Sequence, residues 1–319
     1  MYAHPAIYLS LKELFNIMLQ FSVVPETFGH SIITPVIKNK TKSLNDASNY
    51  RPVSIISIIS KIFEACLLVH IEPMLTSHIN QFGFVQKGGC NKALFAFTST
   101  VDYFVQRKSN VYFCGLDAAK AFDRINHFYL FSCLIDRGVP WCIVNVLHSW
   151  FRNMKACVKW GNDLSAYFSI NSGVPEGSLL GPRLYNIVMD KLLFLLENSG
   201  LGCYVEDLFA GALAYADDLI VLSASVRHLQ LILDLCVKFG QECDIVFNCD
   251  KSQCGMVGKP ICKLVQMVLD NNILKWADNF IYLGIDFVLG SSLNVCCKNR
   301  IRKFMASVSS VLHFKSVGI

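Results

Sequence analysis

The chain has 319 residues, of which 53% are hydrophobic and 17% charged, with a formal net charge of +5. This length allows one large domain or two modest ones with a buried core. The sequence holds no long uncharged run and no basic segment before an apolar start, so we expect neither a membrane span nor a signal peptide. The composition predicts an intracellular protein, cytoplasmic or nuclear, and its positive charge fits a polyanionic partner without requiring one.

The fourteen cysteines raise the question of disulfides or zinc. None of them form a Cys-x-x-Cys pair, and most lie among apolar residues, as Cys66 and Cys114 do. Buried, reduced thiols are therefore the preferred interpretation.

The first part of the chain alternates helical and strand patterns. Residues 9–21 carry apolar side chains at helical spacing, and residues 31–37 are β-branched and predict a strand. Lys38 and Lys40 follow in a polar loop, which is either a solvated surface or a loop that contacts phosphates. Residues 53–68 have apolar positions at close helical spacing and predict a helix.

A short apolar strand at residues 111–115 ends at Asp117. A carboxylate at the end of a buried strand, where the chain turns, suits a metal ligand, although a helix N-cap would also explain it. Asp123 suits either a supporting role beside such a site or a surface ion pair with Arg124. Residues 125–150 predict two apolar helices separated by a break at residues 138–140.

A segment dense in glycine and proline, residues 172–182, precedes the helical pattern of residues 184–196. A flexible glycine loop that opens a helix can lay backbone N–H groups against a nucleotide or a template base. The alternative is a simple connector.

Residues 211–226 read GALAYADDLIVLSASV and predict a tight β-hairpin with Asp217 and Asp218 at its tip. Adjacent carboxylates raise each other's pKa, and a divalent cation removes the cost of burying both. A solvated Asp-Asp turn is the alternative. Beyond it, residues 227–239 predict a helix, and residues 245–247, 254–257, 280–283 and 285–287 predict strands.

Six segments, taken in order, resemble the reverse transcriptase domain of non-LTR (LINE-like) retrotransposons. They are YRPVSIISIISKIFE (50–64), CGLDAAKAFDRINH (114–127), SGVPEGSLLGPRLYNI (172–187), AYADD (214–218), FNCDKS (247–252) and YLGI (282–285). Each motif is weak alone, whereas six in the family's order are specific.

The resemblance implies an α+β right-hand polymerase fold with fingers and palm, in which helices back an antiparallel palm sheet and the thumb is truncated. It implies an N-terminal helical extension at residues 1–27, fingers at 28–110, a palm at 111–289, and the start of a truncated thumb or connector at 290–319.

The resemblance also implies the chemistry. The expected function is RNA-directed DNA polymerase, with an RNA template, a DNA primer and dNTPs as partners and no membrane. Nucleotides would be added to the primer 3′-OH by two-metal phosphoryl transfer. Asp117, Asp217 and Asp218 would hold two Mg²⁺ ions, with Mn²⁺ as an alternative, and Lys251 would act as the general acid.

The matching positions further imply a set of substrate-binding residues. Lys38 or Lys40, with Arg51, would grip the triphosphate, and Phe122 would exclude the ribose 2′-OH. The complete expected set is Lys38, Lys40, Arg51, Ala118, Phe122, Glu176, Gly177 and Tyr215.

Several departures from the family pattern keep an alternative open. Glu176 stands where the loop usually carries Gln, and residues 87–92 lack the usual Arg and Ser/Thr. We expect no endonuclease before the domain and little thumb after it. A catalytically impaired retrotransposon remnant that only binds nucleic acid is therefore the second hypothesis. A palm-fold nucleotide cyclase is a third, against which the length and the fingers motif argue.

Overall fold

The computed structural model describes residues 4–118, 121–175, 177–261 and 264–316. Its helices are α1 (Pro5–Phe21), α2 (Ile58–Ile71), α3 (Cys90–Gln106), α4 (Ala121–Arg124), α5 (His127–Asp136), α6 (Trp141–Arg152), α7 (Gly181–Asn198), α8 (Val226–Cys243) and α9 (Lys298–Ser316). Its strands are β1 (His30–Ile37), β2 (Tyr50–Ile56), β3 (Val111–Asp117), β4 (Lys155–Trp160), β5 (Asp163–Leu164), β6 (Phe168–Ser169), β7 (Tyr204–Val205), β8 (Leu208–Phe209), β9 (Ala212–Tyr215), β10 (Asp218–Ser223), β11 (Gln253–Val257), β12 (Met267–Leu269), β13 (Asn272–Trp276), β14 (Asn279–Tyr282), β15 (Ile285–Val288) and β16 (Asn294–Val295).

The chain folds into two compact units, each assembled from three separate segments. The first unit comprises Met1–Lys87, Ala118–Leu195 and Lys238–Val246, and the second comprises Gly88–Asp117, Leu196–Val237 and Phe247–Ile319. The segments of the two units alternate along the chain, because strands far apart in sequence pair within one sheet. The assignment of residues 28–110 to fingers and 111–289 to palm remains a prediction.

The first unit contains a sheet of order β2-β1-β4-β5, with β6 also paired to β4. Aromatic rings form a cluster under α1 and α2: Phe15 lies 4.9 Å from Phe63, and Phe28 lies 4.9 Å from Trp150, measured between ring centroids. Such tilted and edge-on ring pairs add about 0.5–1.5 kcal/mol each beyond their area burial. This cluster joins α1, α2 and α6 beside the sheet.

The predicted helix over residues 53–68 is wrong in its first part. Residues 50–56 form β2, which pairs antiparallel with β1 along its full length. Helix α2 begins after Ser57, whose side chain accepts a hydrogen bond from Ile59 N at 3.2 Å. Within α2, Ile58 is 75% exposed and Cys66 is also exposed, whereas Phe63, Leu67 and Ile71 are buried, so only part of the predicted apolar face is covered. Strand pairing outweighed the local helical spacing, as tertiary context often does.

The second unit is built on a sheet of order β12-β13-β11-β3-β10-β9. The pairs β11–β3, β3–β10 and β10–β9 are antiparallel, as predicted, whereas β11 and β13 are parallel. Phe97 of α3 packs against Phe113 of β3 at 5.3 Å and Phe287 of β15 at 5.5 Å between ring centroids. These contacts fix one face of β3 beneath its last residue, Asp117.

Of the remaining predicted elements, some are confirmed and one is wrong. The strands predicted over 280–283 and 285–287 are confirmed as β14 and β15, which pair as a hairpin, except that Leu283 lies with Gly284 in its turn, with φ of 46° and 77°. The strand predicted over 245–247 is wrong, since within it only Phe247 makes an isolated bridge. The cysteines of the described chain have free thiols, and seven of these side chains are buried. No helix among the described residues combines the length and hydrophobicity needed to cross a bilayer.

Candidate active site

Asp117 and Asp218 face each other across the two central strands of the second unit. Asp117 ends β3, Asp218 begins β10, and the antiparallel register pairs them directly. Asp117 N donates to Ser252 Oγ at 3.3 Å, and Asp117 O accepts from Asn248 N at 2.7 Å. Both backbone groups of Asp117 are therefore occupied on the side away from β10. The two aspartates thus form a non-hydrogen-bonded pair, the arrangement in which opposing side chains lie closest.

The hairpin tip differs slightly from the prediction. Tyr215 pairs with Asp218, so the two-residue turn consists of Ala216 and Asp217, and Asp218 already belongs to the strand. Ala216 adopts φ 56°, a left-handed conformation that two-residue hairpins require and that glycine occupies more easily. This conformation costs a side-chain-bearing residue about 1–2 kcal/mol. Asp217 therefore lies in the turn, directly before the paired residue Asp218.

The environment of Asp218 disfavours its charge. Burial raises the pKa of Asp218 to about 6, and the nearby carboxylates of Asp217 and Asp117 act in the same direction. The ammonium of Lys251 has the opposite, smaller effect on that pKa. The three aspartates are therefore close enough to repel one another, which is the situation that a cation relieves.

Lys251 contacts the same site through an ordered turn. Its Nζ lies 2.9 Å from Asp117 Oδ2. Asn248 Oδ1 accepts from the backbone N–H groups of Asp250 and Lys251 at 3.0 and 3.3 Å, and Ser252 Oγ donates to Asn248 O at 2.7 Å. The FNCDKS segment thus folds into a turn that contacts the end of β3 with both backbone and side chain.

The carboxylates fit a divalent cation by their chemistry but are not pre-assembled around one. Among the described residues, no three His, Cys, Asp or Glu side chains converge closely enough to hold a metal ion. In this arrangement the Lys251 ammonium neutralises Asp117. Hard carboxylate oxygens are nevertheless the ligands that Mg²⁺ takes, and the raised pKa of Asp218 reflects how closely the other two carboxylates approach it.

The predicted triphosphate-binding residues lie in the first unit, on the β1–β2 hairpin. Lys38, Lys40 and Arg51 are exposed, and Lys38 Nζ donates to Ser48 O at 3.2 Å. Asn49, only 3% exposed, shapes this loop: its side chain accepts from Asn39 N at 3.1 Å and donates to Asn39 O at 2.9 Å. Three cations are thus presented to solvent on a loop with an ordered base.

Phe122 lies on α4 of the first unit and is half-buried. Its ring stacks on that of Tyr185 in α7, with centroids 4.8 Å apart and planes inclined by 22°. Phe122 O accepts from Val174 N at 2.7 Å. Ala118, also predicted to contact substrate, is 5% exposed. The ring position is therefore fixed by α7 and by the segment before it.

The glycine loop, residues 172–181, packs tightly against its neighbours. Gly173 has φ 83°, and a Cβ there would lie 2.5 Å from Phe122 O. Gly177 has φ 113°, and a Cβ there would lie 2.6 Å from Ser54 O. Both positions exclude any side chain. Glu176 lies outside the described residues. A cavity of about 320 Å³ opens beside this loop, lined among others by Ile33, Ser54, Asp123, Ser172 and Pro175.

Comparison with known proteins decides the family. Residues 37–287 match the model described as reverse transcriptase (RNA-dependent DNA polymerase). The chain belongs to the reverse transcriptase family. The match places the chain with reverse transcriptases, in agreement with the first hypothesis, and gives no support to the cyclase hypothesis.

Relatives confirm the non-LTR resemblance. The chain is 28% identical over 291 residues to the Pol polyprotein of the type-2 retrotransposable element R2DM of Drosophila melanogaster, covering 87% of this chain and 27% of that protein. It is 26% identical over 290 residues to the RNA-directed DNA polymerase of the mobile element jockey of Drosophila funebris, covering 87% and 31%. The chain thus spans about a quarter to a third of these relatives.

Solved structures confirm the fold. Apo telomerase of Candida tropicalis, truncated from its C-terminal domain, superimposes with a TM-score of 0.61 at 13% identity, covering 91% of this chain and 60% of that one. Telomerase of the same species in complex with a TWJ fragment of telomeric RNA gives a TM-score of 0.58 at 12% identity, covering 91% and 48%. The α+β polymerase fold expected of this reverse transcriptase is confirmed.

The structure thus brings one predicted group together within the second unit: Asp117, Asp217, Asp218, Tyr215 and Lys251. The other predicted residues that it describes, Lys38, Lys40, Arg51, Ala118, Phe122 and Gly177, belong to the first unit. Sequence reasoning missed the polar residues that hold these groups, among them Asn49, Glu64, Ser178, Asn248 and Ser252. Their only signal was that each lies in or beside a motif.

Proposed function

We propose that this chain is the polymerase domain of a non-LTR retrotransposon protein and extends a DNA primer with dNTPs on an RNA template. The observation that carries the proposal is the non-hydrogen-bonded pair of Asp117 and Asp218, with Asp217 in the adjoining turn. This cluster concentrates negative charge at the ends of two central strands. The family match supports nucleotidyl transfer as its reaction.

In this proposal Asp117, Asp217 and Asp218 hold two Mg²⁺ ions, with Mn²⁺ as an alternative. When bound, such ions lower the cost of deprotonating the primer 3′-OH and stabilise the leaving pyrophosphate. The raised pKa of Asp218 supports this assignment, because a group that resists ionisation beside two other carboxylates gains most from a cation.

We infer that Lys251 donates a proton to the departing pyrophosphate. Its ammonium lies 2.9 Å from Asp117 Oδ2, which supports a position at the reacting groups. Lys251 is also 64% exposed, so its side chain has room to turn from Asp117 toward a substrate. The Asn248 turn fixes the backbone from which it reaches.

The nucleotide would be held by residues of the first unit. Lys38, Lys40 and Arg51 are exposed cations suited to the triphosphate, as phosphate contacts position a substrate without reading its sequence. Phe122 would exclude a 2′-OH by its bulk, and its stacking on Tyr185 supports a fixed ring. Ala118 and Gly177 of the same unit would add to these contacts. Tyr215, which belongs to the second unit, is a separate candidate for binding substrate.

Primer extension tests the proposal. The full chain is incubated with poly(rA)/oligo(dT), dTTP and Mg²⁺, with a second arm containing excess EDTA. We expect extension with Mg²⁺, none with EDTA, and recovery when Mg²⁺ is restored. Binding of the primer–template without extension, in either Mg²⁺ or Mn²⁺, would instead support the impaired remnant.

A further inference from the structure

Glu64, in α2, is a buried carboxylate that binds the glycine loop. It is 3% exposed, and its Oε2 accepts the N–H of Leu179 at 2.7 Å. Its Oε1 accepts the hydroxyl of Ser178. Ser178 Oγ in turn accepts the N–H of Gly181, the first residue of α7, at 2.8 Å. Glu64 therefore ties α2 to the end of the loop and the start of α7.

Burial makes this contact costly for the chain. Burial raises the pKa of Glu64, although the hydrogen bonds from Ser178 and Leu179 act to lower it. An apolar side chain of similar size would fill the space without that desolvation cost. A carboxylate, however, accepts several N–H and O–H groups at once, and such charge-assisted bonds are stronger than neutral ones. The residue is thus better suited to orienting the loop than to packing.

The loop that Glu64 holds is connected to Phe122 along two routes. At its beginning, Val174 N donates to Phe122 O at 2.7 Å, and Gly173 N donates to Ile125 O at 2.8 Å. At its end, α7 carries Tyr185, whose fully buried ring stacks on Phe122. A shift at Ser178–Gly181 therefore moves the surface against which the Phe122 ring rests.

We propose that Glu64 is a positioning residue for nucleotide selection. It fixes the glycine loop and, through the first turns of α7, the Tyr185 ring that supports Phe122. The inference rests on the proposed role of Phe122 in sugar discrimination. Glu64 touches neither the nucleotide nor the three aspartates, so its loss affects how substrate is held and which sugar is accepted more than the chemical step.

The test compares Glu64→Gln with a matched control, Asp190→Asn. Asp190 is another fully buried carboxylate, lies on α7 itself, and accepts from His78 N at 3.0 Å and from Arg137 at 2.8 Å. The Gln variant keeps the shape of Glu64 but replaces one of its two accepting oxygens with an amide NH₂, so that one of the two donors loses its acceptor. We expect it to raise the KM for dTTP about five- to tenfold, change kcat less than about twofold, and lower the dTTP/UTP selectivity on poly(rA)/oligo(dT) about five- to tenfold. The control should keep the parent selectivity.

A milder variant and an activity-independent readout accompany this comparison. Ser178→Ala removes one of the two bonds to Glu64 together with the bond from Gly181 N. It should shift selectivity in the same direction and add little to Glu64→Gln in the double variant. Amide hydrogen exchange of peptides spanning residues 177–185 should be faster in Glu64→Gln and unchanged by Asp190→Asn outside its own surroundings.

The outcomes separate the two claims. Parent values of KM and selectivity in Glu64→Gln overturn the positioning role, as does an equal selectivity loss in Asp190→Asn. Parent selectivity in Phe122→Val contradicts the sugar gate, and the Glu64 proposal falls with it. If the parent chain fails to extend primers, the polymerase proposal is contradicted by that result alone. Amide hydrogen exchange then tests the Glu64 proposal by itself. Unchanged protection of residues 177–185 in Glu64→Gln would show that Glu64 does not anchor the loop.

Discussion

Asp117 and Asp218 are a directly opposed, non-hydrogen-bonded pair because both backbone polar groups of Asp117 are bound by the turn that carries Lys251. Asn248 and Ser252 supply those bonds. One short turn therefore holds Asp117 opposite Asp218. The same turn also carries Lys251, whose ammonium contacts Asp117. Backbone pairing, more than side-chain packing, determines this arrangement.

The first prediction concerns Lys251. Lys251→Gln removes the ammonium beside Asp117 and with it the proposed proton donor. We expect kcat for single-nucleotide insertion to fall about 10²-fold or more, with primer–template affinity nearly unchanged. Lys259→Gln, which alters an exposed lysine two residues after β11, is the control and should keep the parent kcat. Equal kcat values in the two variants would remove Lys251 from the proton transfer.

The second prediction concerns Phe122. Phe122→Val shortens the side chain that stacks on Tyr185, and the space gained admits a 2′-OH. We expect the ratio of dNTP to rNTP insertion efficiency to fall at least about tenfold. Phe128→Val changes a phenylalanine that is 85% exposed and should leave the ratio unaltered. An active Phe122→Val enzyme with the parent ratio would exclude Phe122 as the gate.

The third prediction concerns Glu176, where the chain departs from its family. If this carboxylate faces the nucleotide, it opposes the triphosphate, since like charges about 4 Å apart cost about 4 kcal/mol at an effective dielectric constant of about 20. Glu176→Gln should lower the KM for dNTP and raise kcat by a smaller factor. Both gains should increase as pH rises, because the parent carboxylate becomes more fully charged.

The alternative is that Glu176 points to solvent or pairs with Arg183, in which case the substitution has no effect. Arg183 is engaged elsewhere, with Glu72 Oε1 at 2.8 Å and with Phe84 O. Steady-state insertion at several pH values tests the repulsion, with Glu206→Gln on an exposed turn as control. A KM in Glu176→Gln that equals or exceeds the parent value at every pH would discard it.

The fourth prediction is a pH dependence of stability. Burial raises the pKa of Glu64 and of Asp190 in the folded chain. The folded state then binds these protons more tightly than the unfolded state does. The resulting stability is fully present below the ordinary carboxyl pKa of about 4 and is lost as pH rises through the raised values.

Glu64→Gln lacks this titration. We therefore expect the difference in unfolding free energy between variant and parent to become less unfavourable to the variant as pH rises from about 4 to 7. Urea denaturation across that range measures it, and Asp190→Asn should show the same trend. A difference that grows more unfavourable with rising pH would contradict the raised values.

The strand-end position of Asp117 and the hairpin of Asp217 and Asp218 could be predicted because both depend on local patterns. An apolar run ending in a carboxylate, and two short runs joined by a tight turn, are visible within a dozen residues. Their meeting could not be read from spacing, and it was inferred from the family's motif order. The pairing of β3 with β10 supplies the physical reason.

The parts that could not be predicted depend on contacts between distant segments. Residues 53–56 resemble the helix that follows them, and only pairing with β1 makes them a strand. Glu64 looks like an exposed polar position on that helix, whereas it is buried by loop residues more than a hundred positions away. Ala216 adopts a left-handed backbone conformation that is typical of glycine, and an alanine in the sequence gives no sign of it.

The most direct test of the account is Asp217→Asn against Asp207→Asn, a change at an exposed aspartate in the β7–β8 turn of the same unit. Single-nucleotide insertion on poly(rA)/oligo(dT) with Mg²⁺ is measured beside primer–template affinity. We predict that Asp217→Asn abolishes insertion while affinity stays within about twofold of the parent, because a metal ligand is lost but the basic surface is retained. Asp207→Asn should behave as the parent. Comparable insertion by Asp217→Asn and the parent would contradict the assignment of these carboxylates to the catalytic centre.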